Sequence, residues 1–115
     1  MSWQLYHNPR CSKSRAALAL LTEKDINFET VLYLENPPAS DEIKRILSLL
    51  NFTSARQLMR TGEEVYKELS LANIDDEQAL ISAMIANPKL IERPILVGDK
   101  TAAIGRPLEN ITAIL

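Results

Sequence analysis

The single cysteine of this 115-residue chain stands in a short polar stretch that is suited to nucleophilic chemistry. The stretch runs from His7 to Arg15, has the sequence HNPRCSKSR and has Cys11 at its centre. The apolar run 3–6 before it is typical of a β-strand and the run 16–21 after it of a helix, so the thiol is expected at a helix N-terminus. Unpaired N–H groups and the helix dipole favour a thiolate there, with a pKa below the free value of about 8.5. The sequence therefore predicts a nucleophilic thiolate, and the same N–H groups would also bind an oxyanion.

Charged neighbours favour the ionised form of this thiol. Arg10, Lys13 and Arg15 place positive charge within one helical turn of Cys11. His7, the single histidine, would stabilise a thiolate as a cation or fix the turn as a neutral ring, and a purely structural role is equally open. A lone cysteine can also be a small buried side chain without chemistry, but polar neighbours disfavour an apolar slot.

Length and composition indicate a single globular domain. Hydrophobic residues make up 46% and charged residues 24% of the 115 residues, as in ordinary globular proteins. The net charge of −2 gives no general attraction to nucleic acid or membrane, so neither is expected as a partner. The pattern shows no signal peptide, no zinc-ligand spacing and no glycine-rich phosphate loop. We therefore expect a cytoplasmic protein with no bound cofactor and no metal site.

The predicted elements follow the order β-α-β, a helical segment and β-β-α, which indicates the α/β class with a mixed sheet. The run 28–34 predicts a second strand, and a single crossover helix would make it parallel to the first. A hairpin should join strands at 95–97 and 101–104. Pro107 suits the first turn of a final helix. The residues expected to face inward from that helix are Leu108, Ile111, Ile114 and Leu115.

The segment at about 39–92 is predicted to be a helical insertion within a single domain spanning residues 1–115. Its apolar residues recur at helical spacing, which is typical of core contacts. The segment is too long for one crossover helix, so it should form a helical layer or subdomain. Polar residues that suit the starts of successive helices are Ser40, Ser54, Thr61 and Asp75–Asp76.

Three arginines at the ends of predicted elements are candidates for anion binding. Arg93 enters the predicted hairpin and Arg106 leaves it, so both should lie at the same end of it. Arg60 falls in a polar break between helical segments. A guanidinium group offers paired N–H donors that suit a tetrahedral oxyanion or a carboxylate. The alternative is that each arginine is a solvated surface residue.

The stretch 7–15 resembles the active-site motif of the ArsC-type arsenate reductases, which are coupled to glutaredoxin. The segments Leu58–Arg60, Glu92–Ile95 and Gly105–Pro107 are similar to the arginine positions of that family. The resemblance covers essentially the whole chain and is strongest to the YfgD-like branch of small bacterial proteins. It implies a thioredoxin-like fold with a helical insertion and a cis peptide bond before Pro94.

The resemblance also implies a reaction. Cys11 would attack arsenate to give a thiol–arsenate adduct. Glutathione, as a co-substrate, would reduce this adduct to arsenite, and glutaredoxin would clear the resulting mixed disulfide. The residues implied as oxyanion ligands are Arg60, Arg93 and Arg106, and those implied as tuners of the thiolate are His7, Ser14 and Arg15.

Two other functions stay open. Better-known arsenate reductases have Gly-Thr after the cysteine, whereas this chain has Ser12-Lys13 in the loop that would line the anion. A glutathione-dependent thiol oxidoreductase acting on another substrate is therefore one alternative. The other is a regulator that binds RNA polymerase, like the Spx proteins, which share the fold. Ser14 stands where many of those regulators have the second cysteine of a redox switch, which disfavours this function.

Overall fold

The computed structural model describes residues 2–115. They form two compact units. The first contains the residues up to Asn36 together with Arg93–Leu115, and the second is Pro37–Glu92. No helix within residues 2–115 is long and apolar enough to span a membrane. The strands are β1 (Trp3–Tyr6), β2 (Phe28–Val31), β3 (Ile95–Val97) and β4 (Ala102–Ile104). The helices are α1 (Ser12–Glu23), α2 (Ser40–Leu49), α3 (Glu64–Glu68), α4 (Glu77–Ala86) and α5 (Glu109–Ile114).

The first unit is built on a four-stranded mixed sheet with the strand order β2-β1-β3-β4. Strand β1 pairs parallel with β2, as predicted, and antiparallel with β3. Strands β3 and β4 form the predicted antiparallel hairpin, in which Gly98 N–H donates to the carbonyl of Thr101. The central strand β3 is buried along its whole length, Ile95–Val97, whereas β2 is an edge strand with exposed residues.

Strand β2 is shorter than the predicted run 28–34. It ends at Val31 because the chain turns back on itself directly after it. Tyr33 N–H donates to the carbonyl of Val31, and Asn36 N–H donates to that of Leu32. These local hydrogen bonds take the backbone groups that a longer strand would have used for pairing.

Helices α1 and α5 supply the apolar residues that pack with the sheet of the first unit. Ala17 and Leu21 of α1 are fully buried, as is Ile111 of α5. The predicted inward position of Leu115 is wrong, since its side chain is 41% exposed. The reason is that α5 ends at Ile114, so Leu115 lies beyond the helical face. The buried cluster consists of Leu5, Ala17, Leu21, Leu96, Ala103 and Ile111.

The second unit is helical, and two of its predicted helix starts are confirmed. The Ser54 hydroxyl accepts a hydrogen bond from Arg56 N–H, and together with Gln57 it forms a capping box on a 3₁₀ turn over Ala55–Leu58. The Asp76 carboxylate accepts from Gln78 N–H at the start of α4. The apolar residues buried along α2 and α4 are Ile43, Ile46, Leu80, Ile81 and Met84.

Two other predicted caps are wrong. The first helical hydrogen bond of α2 runs from Ile43 N–H to the carbonyl of Ala39, so Ala39 is the N-cap and Ser40 lies inside the helix. Helix α3 begins only at Glu64, because Glu63 N–H turns back to the carbonyl of Arg60 and leaves Thr61 in the turn before the helix.

Candidate active site

Cys11 occupies the N-cap of α1, with extended backbone angles of φ −96° and ψ 122°. Its carbonyl accepts the first helical hydrogen bond, from Arg15 N–H at 2.9 Å, and its own N–H donates to the carbonyl of Asn8 at 3.0 Å. Proline at position 9 suits this turn because its ring fixes φ and it has no N–H to satisfy. The thiol is thus held between a closed turn and the positive end of the helix, and it is 9% exposed.

The surroundings of the thiol favour its ionised form. Burial raises the pKa of Cys11, but the backbone N–H of Ser14, the guanidinium of Arg93 and the backbone N–H of Lys13 together lower it to about 7. The two amides belong to the first turn of α1, whose N–H groups have no helical carbonyl to bind. A thiol with this pKa is largely ionised at neutral pH.

Two arginines from the far end of the chain lie at this sulfur. Arg106 Nη2 is 3.4 Å from Cys11 Sγ, and Arg106 Nε donates to the carbonyl of Arg93 at 2.8 Å. Arg106 is exposed, and its Nη2 group is placed to donate a hydrogen bond to the sulfur. The less exposed Arg93 lowers the thiol pKa through a side-chain hydrogen bond and, to a smaller extent, through its charge.

The register of the sheet explains why these groups meet. Ile95 is paired both with Tyr6 of β1 and with Ile104 of β4. The loop after β1, the residue before β3 and the loop after β4 therefore leave the sheet at the same end. The peptide bonds Arg93–Pro94 and Arg106–Pro107 are both cis, and the first is the one that the family resemblance implied.

A buried hydrogen-bond network supports the cysteine turn from behind. His7 Nδ1 and Ser14 Oγ are 2.7 Å apart, and Asn8 N–H donates to Ser14 Oγ at 3.0 Å. Burial and the charge of Arg15 lower the pKa of His7, although a hydrogen bond to the backbone of Ser14 opposes them. Of the two states considered for His7, this favours the neutral ring that fixes the turn over the cation.

The basic residues next to Cys11 in sequence lie mostly in solvent. Arg10 and Lys13 are exposed, and Arg15 donates from Nη1 to the carbonyl of Pro9 at 3.0 Å. The charge that lowers the thiol pKa comes instead from Arg93. Proximity along the chain therefore does not identify the guanidinium group that acts on the sulfur.

Asn8 is a structural member of the site that sequence reasoning missed. Its carbonyl accepts from Cys11 N–H, and its side-chain Oδ1 accepts from Arg10 N–H at 3.0 Å. The signal was available, because asparagine before proline commonly begins a turn through such a side-chain bond.

Arg60 belongs to the second compact unit. Its N–H donates to the carbonyl of Leu90 at 2.7 Å, and its Nη2 lies 3.4 Å from Glu63 Oε2. Its convergence with Cys11 stays a prediction. Within residues 2–115, no group of three or more His, Cys, Asp or Glu side chains could hold a metal ion.

Comparison with known proteins decides the family, because the ArsC family profile matches residues 6–114. The chain belongs to the ArsC family. It is 51% identical over 113 residues to a Neisseria meningitidis protein named arsenate reductase, a match covering 97% of each chain. It is also 51% identical to the uncharacterized protein YfgD of Escherichia coli, over 97% of this chain and 95% of YfgD.

A solved structure of another ArsC relative, the arsenate reductase from Vibrio cholerae, has a TM-score of 0.95 to this chain at 46% identity. The match covers 100% of this chain and 98% of that one. The predicted thioredoxin-like fold and the likeness to the YfgD-like branch are thereby confirmed.

Proposed function

We propose that this ArsC-family chain is an arsenate reductase in which Cys11 is the nucleophile and glutathione, assisted by glutaredoxin, is the reductant. The observation that carries the proposal is the 3.4 Å contact between Arg106 Nη2 and Cys11 Sγ at the N-terminus of α1. An arginine N–H donor beside a thiol of low pKa supports the proposal, because such a donor would suit an oxyanion at the attacking sulfur. The name arsenate reductase on relatives 51% and 46% identical to the chain supports the same assignment.

The first step is attack of the Cys11 thiolate on As(V) of arsenate. An S–As bond forms and one As–O bond breaks, and the leaving oxygen takes up a proton and departs as water, so arsenic stays in its pentavalent state. Arg93 and Arg106 would bind the remaining oxygens through their paired N–H donors. Arg60 is assigned as a third ligand from the family resemblance. The free N–H groups of α1 suit the same anion.

The second step reduces the adduct. A glutathione thiolate attacks Cys11 Sγ, and the electron pair of the S–As bond passes to arsenic, which leaves as arsenite. Cys11 and glutathione then form a mixed disulfide. A glutaredoxin thiolate attacks the glutathione sulfur of this disulfide and releases the Cys11 thiolate. The chain has one cysteine, so an internal thiol cannot resolve the intermediate.

His7, Ser14 and Arg15 are assigned to tuning the thiolate. Ser14 contributes its backbone N–H directly to the low pKa of Cys11. His7 holds the Ser14 side chain, and Arg15 binds the carbonyl of Pro9. Their common effect would be to keep the cysteine turn and the first turn of α1 in one geometry.

The test is arsenate-dependent NADPH oxidation in the presence of glutathione, glutaredoxin and glutathione reductase. We expect turnover that requires all components, and Cys11→Ser should abolish it. Mass spectrometry of enzyme trapped during turnover should find one glutathione on Cys11. Turnover with thioredoxin alone, without glutathione and without an adduct, would refute the reductant assignment. Disulfide reduction by glutathione without any arsenate turnover would favour the alternative thiol oxidoreductase.

A further inference from the structure

A cavity of about 270 Å³ lies at the carboxyl ends of the parallel strands β1 and β2. Residues 7–10, which follow β1, form one wall, and Leu32, Leu34 and Glu35, which follow β2, form the other. Ligands of open α/β sheets bind at this end of the strands. Pockets that hold whole drug-sized ligands measure about 300–1,000 Å³, so this cavity suits one end of a small peptide.

The two walls carry opposite charges. Arg10 and Glu35 are both exposed, and no ion pair joins them within residues 2–115. Between them the lining includes the apolar side chains of Pro9, Leu32 and Leu34. A ligand that matches this lining has an ammonium group, a carboxylate and a short aliphatic chain, which is the chemistry of a zwitterionic amino-acid end.

The cavity and the nucleophile share one hydrogen-bonded turn. Asn8 lines the cavity, and its carbonyl accepts from Cys11 N–H at 3.0 Å. The Asn8 side chain also accepts from Arg10 N–H, which fixes the backbone of the charged wall. A thiol peptide anchored in the cavity is therefore held next to the segment that carries the reactive sulfur.

We propose that this cavity binds the zwitterionic γ-glutamyl end of glutathione, with its ammonium at Glu35 and its carboxylate at Arg10. The leucines would pack against the methylene groups of the γ-glutamyl chain. The inference deepens the proposed function, in which glutathione is the reductant, by giving glutathione a binding site. The cavity would hold the reductant while Arg93 and Arg106 hold the oxyanion.

The test uses a reaction that needs no arsenate. The Cys11 thiolate attacks one sulfur of oxidised glutathione, the S–S bond breaks, and one glutathione leaves as its thiolate while the other stays on Cys11. The rate is followed by mass spectrometry, with the neutral 2-hydroxyethyl disulfide as the reference reagent. Glu35→Gln should slow glutathionylation about two- to fivefold, the range for one exposed ionic contact, and leave the reference rate unchanged.

Glu23→Gln is the matched control. It makes the same charge change at an exposed residue of the same unit, but at the far end of the 12-residue helix α1, roughly 18 Å from Cys11. That distance exceeds the screening length of about 8 Å at physiological salt, so both rates should equal those of the wild type.

A second comparison removes the ammonium from the ligand. Oxidised glutathione acetylated on its γ-glutamyl amino groups should react more slowly with the wild type, by about the same two- to fivefold, and Glu35→Gln should not distinguish the two reagents. The cavity assignment would be overturned if the two reagents reacted at equal rates with the wild type. It would also be overturned if Glu23→Gln slowed glutathionylation as much as Glu35→Gln does. If the wild type distinguished the two reagents as expected but did not turn over arsenate, the proposed function would be refuted and the glutathione site would stand.

Discussion

Arg106 and Cys11 are 95 residues apart in sequence, yet Nη2 of the arginine lies 3.4 Å from Sγ of the cysteine. The contact exists because β3 pairs on one side with β1 and on the other with β4. The segments that leave these strands at one end meet at the N-cap of α1. This contact brings an arginine to the candidate nucleophile and leads to the predictions below.

The first prediction concerns the ionisation of Cys11. Alkylation by iodoacetamide should follow the thiolate, with an inflection at about pH 7. Arg93→Gln should raise that inflection toward the free value of about 8.5, because it removes the guanidinium that lowers the pKa. An unchanged inflection in this variant would show that Arg93 does not act on the sulfur. Lys24→Gln, at the C-cap of the 12-residue helix α1 and roughly 18 Å from Cys11, is the control and should leave the inflection in place.

The same ionisation predicts a pH dependence of folding stability. The pKa of Cys11 is about 7 in the folded chain and about 8.5 in the unfolded chain. The ionised thiol therefore favours the folded state fully above about pH 8.5, and this contribution is lost as the pH falls through 7. Denaturant unfolding of the wild type and Cys11→Ser should show a difference in unfolding free energy that grows as the pH rises from about 7 to about 8.5. A difference independent of pH would contradict the shift.

The second prediction concerns the fork geometry of Arg106. Arg106→Lys should lower kcat/KM for arsenate about ten- to a hundredfold, because an ammonium group cannot hold the Arg93 carbonyl and also reach the sulfur and an oxyanion. Arg45→Lys, a surface substitution of the same kind, should not change it. Wild-type turnover in Arg106→Lys would remove the arginine from the proposed oxyanion ligands.

The third prediction separates two roles of Ser14. Ser14→Ala should lower the free energy of unfolding by about 1–3 kcal/mol, because the buried His7 ring and Asn8 N–H lose their common partner. The backbone N–H of Ser14 remains, so the thiol should keep most of its low pKa. Chemical denaturation and the alkylation profile measure the two effects. Ser12→Ala, at an exposed neighbour, should cost less than about 0.5 kcal/mol.

The fourth prediction uses two glycines with different surroundings. A Cβ atom added at Gly98 would lie 2.7 Å from Cζ3 of Trp3, so Gly98→Ala should destabilise the fold by about 1–3 kcal/mol. A Cβ atom added at Gly62 would meet nothing within 4 Å, so Gly62→Ala should be neutral or slightly stabilising. Equal stabilities of the two variants would contradict the packing of Trp3 on the hairpin turn.

The sequence by itself determined the local geometry of the nucleophile. A strand, an Asn-Pro turn and a helix follow one another around Cys11, and their boundaries depend on residues only a few positions apart. The position of Cys11 at the start of α1 and the helix start at Ser54 were predictable for this reason. Two other boundaries were not predicted correctly. Strand β2 stops at Val31, and the N-cap of α2 is Ala39.

Only the tertiary structure decided which charges act on the sulfur. The sequence placed Arg10, Lys13 and Arg15 near Cys11, but the charge that lowers its pKa belongs to Arg93. An electrostatic effect depends on distance through space and on exposure to water, and both are set by strand order and register. Residues adjacent in sequence can point into solvent, whereas the pairing of β3 with β1 and β4 brings distant residues to the thiol.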